Sequence, residues 1–154
     1  MARVRVVQHI AGDIDAVFGA ISDHETFLGR SAGMRARVVT PGKPERNGLG
    51  CVREILAGKR LRYLEEITAW TRPVSFEYLI LESSVPIRHH GSRLEFASAS
   101  GGTEVTWTSH YDASVPVTGW VLGWYLKDQY ENAFKQLLRD AGARFESGRR
   151  KVAD

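Results

Sequence analysis

Cysteine is almost missing: Cys51 is the only one in 154 residues, so no intrachain disulfide staples the fold. Proline is scarce, and none follows Pro116, so nothing after that point has to break a helix. Long apolar runs are missing too. No stretch approaches the ~20 residues that a membrane span requires. Residues 1–10 alternate charge with valine and lack the apolar core of a signal peptide. The expectation is a cytoplasmic protein with no integral membrane contact. A dense basic face is also absent. The formal net charge is +3, but basic residues are interspersed with acidic ones until Arg149, Arg150 and Lys151, so nucleic acid is not an expected partner. No HxxxH or Cys/His spacing offers a metal site. Nothing resembles a nucleophile elbow, and no glycine-rich loop opens a helix after a strand. Neither a metal nor another cofactor is expected.

What is present is enough for one core. Hydrophobic residues make up 43% and charged residues 25% of the chain, the balance of an ordinary globular domain. The longest coherent pattern covers 116–147. Leu126, Tyr130, Ala133, Phe134, Leu137 and Ala141 recur at steps of three and four, which places them on one face of an α-helix. Asp128, Asn132, Lys135 and Arg139 fall opposite. Gly119 and Gly123 lie on the apolar stripe, where missing side chains would leave the helix roofing a cavity. Residues 117–126 are apolar nearly all round, with Trp120, Val121, Trp124 and Tyr125 off that stripe. They require cover from loops near Phe27 and Leu28, from a second copy in a homodimer, or from a membrane surface.

Before this helix the chain reads as strands and turns. Strands are expected at 3–10, 34–39, 51–56, 61–70, 74–82, 89–97 and 103–113. Two short helices follow the first strand, the first capped by Asp13, with Ile14, Val17, Phe18 and Ile21 as its apolar stripe. The order β-α-α-β6-α predicts an α+β fold in which a seven-stranded, curved antiparallel sheet is closed by the last helix. The first strand closes an edge beside the seventh strand or the second. Residues 1–147 are expected to form a single domain, and 148–154 a frayed polar tail.

Local motifs carry a resemblance. Residues 14–18 (IDAVF), 48–54 (GLGCVRE), 65–70 (EEITAW) and above all 101–108 (GGTEVTWT) resemble the START-like (SRPBCC) superfamily, which includes the birch pollen allergens and coenzyme Q-binding proteins. The likeness is to the polyketide cyclase/dehydrase branch and runs over nearly the whole chain. The resemblance implies the helix-grip fold and a hydrophobic small molecule held between sheet and helix. It implies no catalytic residues, because the branch has no short catalytic signature.

Strand alternation nominates the side chains that face the helix. Val105, Trp107, Ser109 and Tyr111 share a face of the seventh strand, and Phe76, Tyr78 and Ile80 of the fifth. His90, Ser92, Leu94 and Phe96 do so on the sixth, Tyr63, Glu65 and Ile67 on the fourth, and Cys51, Arg53 and Ile55 on the third. A one-residue bulge would reverse any of these assignments. The expected ligand contacts are Arg53, Tyr63, Glu65, Tyr78, His90, Trp107, Tyr111, Gly123 and Tyr130. Arg53 and Glu65 form either a buried pair that anchors a polar ligand group or a surface ion pair on the convex face. The tyrosines are either proton donors for a cyclisation or dehydration, or ordinary core. Three functional readings stay open: a cyclase/dehydratase-like enzyme, a non-catalytic lipid or quinone carrier, and a regulatory or interaction domain without a ligand.

Overall fold

The computed structural model describes residues 1–31 and 33–153. Its elements are β1 (Ala2–Ile10), α1 (Ile14–Ser22), α2 (His24–Gly29), β2 (Met34–Thr40), β3 (Val52–Ala57), β4 (Leu61–Thr71), β5 (Ser75–Ser83), β6 (Ile87–Ala99), β7 (Gly102–Ala113) and α3 (Gly119–Ala153). The strands form one sheet in the order β1-β7-β6-β5-β4-β3-β2, every neighbouring pair antiparallel. This is the expected helix-grip arrangement, and β1 takes its edge beside β7.

Local chemistry sets the short helices. Asp13 caps α1 by accepting from the Ala16 N–H at 3.0 Å. Asp23 serves both helices: its own N–H bonds back to Gly19 O, while its carboxylate accepts from the Thr26 N–H and hydroxyl. One residue therefore ends α1 and starts α2, which fixes the angle between them. Their apolar faces fill one end of the sheet's concave side. Phe18 is fully buried there and meets Trp70, Phe76 and Phe96 edge-on.

The last helix differs from expectation at both ends. It begins at Gly119 rather than 116 and continues past Ser147 to Ala153, so residues 148–153, expected to fray, are helical. It turns back along β7 and packs on β1 and β7. Trp107 and Phe134 stack face to face, with ring centroids 3.8 Å apart. A Cβ on Gly142 would lie 3.7 Å from Ile10 Cγ1, and Leu137, Leu138 and Ala141 are buried.

The first two turns of α3 depart further. Trp120 is 79% and Trp124 74% exposed, and Val117, Val121 and Tyr125 are exposed as well. The expected cover from the loops around Phe27 and Leu28 does not form; those two residues are buried in the core instead. The two glycines also differ from expectation. A Cβ on Gly119 would come within 3.3 Å of Ala113 O, and one on Gly123 within 3.9 Å of the Ala113 Cβ. Gly119 lets the helix start close against the end of β7, whereas a Cβ on Gly123 would make only an ordinary contact; neither glycine lines the cavity.

Candidate ligand cavity

Because α3 covers β1 and β7, the concave face of β2 to β5 is left partly open beneath the helix. A cavity of about 290 Å3 lies there. Met34, Ile55, Leu61, Ile80 and Ile87 form its aliphatic walls, Leu28 closes one side, and Gln129, Tyr130, Ala133, Phe134 and Leu137 of α3 form the lid. Tyr63, Tyr78, Trp107 and Tyr111 complete an aromatic lining. Of the expected ligand contacts, Tyr63, Glu65, Tyr78, Trp107, Tyr111 and Tyr130 line the cavity.

Three expected contacts do not. Gly123 lies beyond the cavity, and its carbonyl accepts from the Tyr111 hydroxyl at 3.2 Å. Arg53 lies behind the wall, fully buried. His90 faces the opposite side of the sheet, where it bonds Asp112 at 2.7 Å. A bulge causes the change at His90: the β6–β7 register shifts between His89 and Gly91. Gly91 adopts φ +124°, a conformation that glycine reaches without a Cβ penalty. The bulge turns His89 inward in place of His90. A glycine inside a strand is the signal available for it in the sequence.

The polar groups of the wall form two clusters. In the first, Arg53 and Glu65 face each other directly across β3 and β4. Arg53 Nε donates to Glu65 Oε1, and Nη1 donates to Ser22 O at 2.9 Å, at the C-terminus of α1. The buried alternative for this pair therefore holds, although only Glu65 reaches the cavity. His24 lies with its Nδ1 3.0 Å from the same carboxylate oxygen, off the hydrogen-bonding axis, and its Nε2 has no protein partner. Burial alone would raise the Glu65 carboxyl, but the Arg53 guanidinium and His24 outweigh it and hold it at about 2. Burial, reinforced by Arg53, lowers His24 to about 4. His24 is a cavity residue that strand alternation could not nominate, since it is brought there by the α1–α2 corner.

The second cluster is neutral. The bulge ends the β5–β6 ladder at Tyr78, and the Ile80 N–H beyond it donates instead to His89 Nδ1 at 2.9 Å. His89 Nε2 lies 2.9 Å from Ser92 Oγ and 3.2 Å from Ser109 Oγ, and Ser92 donates to Ser109 at 2.8 Å. The Tyr78 ring stacks on His89, and the Tyr78 oxygen accepts from Trp107 Nε1. Burial lowers His89 to about 4. The phenols move the other way: burial pushes Tyr111 up to about 12, and raises Tyr63, Tyr78 and Tyr130 as well. Tyr63 and Tyr130 share a hydrogen bond of 3.2 Å across the cavity.

Among the described residues, no group of three or more His, Cys, Asp or Glu side chains could hold a metal ion, and no helix is long and apolar enough to cross a membrane.

Comparison with known proteins places this architecture. The family described as polyketide cyclase/dehydrase and lipid transport matches residues 1–142. No curated protein matches the sequence. Among solved structures, a protein from Thermus thermophilus is 20% identical, with a TM-score of 0.78 over 96% of this chain and 99% of that one. A START superfamily protein from Mycobacterium smegmatis is 10% identical, with a TM-score of 0.71 over 94% and 97%. Ara h 8.0201 is 14% identical, with a TM-score of 0.70 over 95% and 98%. At these identities the likeness is one of fold.

Proposed function

We propose, from the premise that the chain belongs to the polyketide cyclase/dehydrase and lipid transport family, that it binds one small apolar, ring-bearing molecule in the cavity between the sheet and α3. The observation that carries this reading is the cavity itself. Its volume of about 290 Å3 lies near the lower end of ligand pockets, and a few polar groups punctuate a mostly apolar lining. Burying about 200 Å2 of apolar ligand surface would contribute about 5 kcal/mol before the cost of immobilisation.

The side chains favour holding a ligand over proton transfer. A general acid or base works best with a pKa near the working pH. Glu65 is ionised but held at about 2, so it is a weak base. His24 and His89 are lowered to about 4, and the phenols are raised. Carriage of a lipid- or quinone-like molecule therefore fits these groups better than a cyclisation or dehydration.

Titration with 1-aminoanthracene, an apolar fluorescent probe, tests the reading. One molecule is expected to bind per chain with enhanced emission. Ile80→Trp, which places an indole in the cavity, should weaken binding tenfold or more while leaving the circular dichroism spectrum unchanged. Saturable binding that Ile80→Trp leaves intact would put the site elsewhere, and absence of binding would sink the proposal.

A further inference from the structure

The neutral cluster has a direction, set by a backbone group that cannot reverse its role. The Ile80 N–H is a donor only, so His89 Nδ1 must accept from it. The neutral imidazole then carries its proton on Nε2, and that proton points at the two serines. Burial lowers His89 to about 4, so the ring is neutral at pH 7. Ser92 in turn donates to Ser109 at 2.8 Å. The single Nε2 proton is shared between Ser92 at 2.9 Å and Ser109 at 3.2 Å, and the Ser109 oxygen also accepts from Ser92. Among the described residues, none accepts the Ser109 hydroxyl proton. His89, Ser92 and Ser109 are all buried, and Ser109 lines the cavity.

We infer that Ser109 presents a hydrogen-bond donor to the cavity, and that the ligand is an apolar molecule bearing a carbonyl oxygen placed against it. The inference rests on the ligand-binding reading above and adds the chemistry of the ligand. The arrangement also specifies what Ser109 is not. The one nearby imidazole donates towards it and has its lone pair engaged by the backbone, so no base activates Ser109 as a nucleophile. A donor that itself accepts hydrogen bonds is polarised in the direction that strengthens its own bond. A ketone, quinone or ester oxygen fits this position. A purely hydrocarbon ligand would leave the hydroxyl unsatisfied.

Fluorenone and fluorene separate the possibilities, because they share a skeleton and differ by a carbonyl in place of a methylene. Equilibrium dialysis of both against the parent protein and Ser109→Ala gives four affinities. The expected result is that Ser109→Ala weakens fluorenone relative to fluorene by about five- to tenfold, the size of one hydrogen bond. Infrared spectroscopy of fluorenone on the unmodified protein gives a second readout that needs no variant. A hydrogen-bonded carbonyl should absorb below its frequency in hexane. Binding of both probes with no Ser109 dependence and an unshifted carbonyl band would overturn the donor assignment alone. Failure of the parent protein to bind either probe would overturn the ligand-binding reading, and this inference with it.

Discussion

The two polar clusters in the cavity wall lie on either side of β5, one on β3 and β4 with His24 of α2 and the other on β6 and β7, yet they are built on opposite rules. The Arg53–Glu65–His24 cluster is charged, and its strongest contacts face away from the cavity. Arg53 ties β3 to β4 through Glu65 and ties the sheet to α1 through Ser22 O. The His89–Ser92–Ser109 cluster is neutral and ends in a hydroxyl on the cavity surface. Desolvation explains the difference. Two buried charges are tolerable only when each is held by the other in fixed geometry, which makes such a pair a poor place for an exchangeable partner. A chain of neutral donors and acceptors carries a smaller desolvation cost, so one of its members can await a ligand.

The largest test of that contrast is Glu65→Ala. It leaves the Arg53 guanidinium buried and uncompensated, and a loss of about 3–5 kcal/mol is expected. For a chain of this size that lowers the melting temperature by roughly 10 °C or more, measurable by thermal unfolding. A loss below about 1 kcal/mol would mean that water reaches the cluster and that the contrast is false.

Acid should weaken both clusters next, through the one histidine in each. His24 and His89 have folded-state values near 4, below the ordinary 6.5, so the unfolded chain takes up protons first. Their contribution is complete above pH 6.5 and is lost as the pH falls towards 4. Each should contribute a loss on the order of 1–2 kcal/mol by about pH 5. Glu65 is also lowered, from 4.5, so its share is lost only below that pH. Urea unfolding at pH 7, 6 and 5 should show the decline, and His89→Gln should reduce its slope by about half. An unchanged slope would place the acid sensitivity elsewhere.

The smallest expected effect on stability is that of Ser109→Ala. His89 keeps Ser92 as a partner, so the loss should be about 1 kcal/mol or less, seen as a small shift in the urea midpoint. A loss matching that of Glu65→Ala would make the neutral cluster as structural as the charged one.

Much of the fold was legible because it rests on local periodicity. Alternation places Trp107, Ser109 and Tyr111 on one face, and Asp13 announces the first helix. The errors have physical causes that periodicity does not encode. A period of two favours His90 over His89 because it continues until a bulge resets it, and Gly91 makes that bulge. The helical stripe assigns Gly123 to the cavity, but where a helix starts over a sheet depends on the connection from β7. Trp120 and Trp124 stand exposed where cover is expected, since no local pattern states which surface a loop will reach.

By itself the sequence determined the seven alternating strands, the terminal helix and the concave apolar face, because these follow from short-range side-chain spacing and from burial of apolar area. Only the tertiary structure decided that His24 and His89 join the cavity, that Arg53 stays behind its wall and that, among the described residues, the Ser109 hydroxyl finds no acceptor. Those outcomes depend on how separate elements meet and on which backbone donor each side chain finds there.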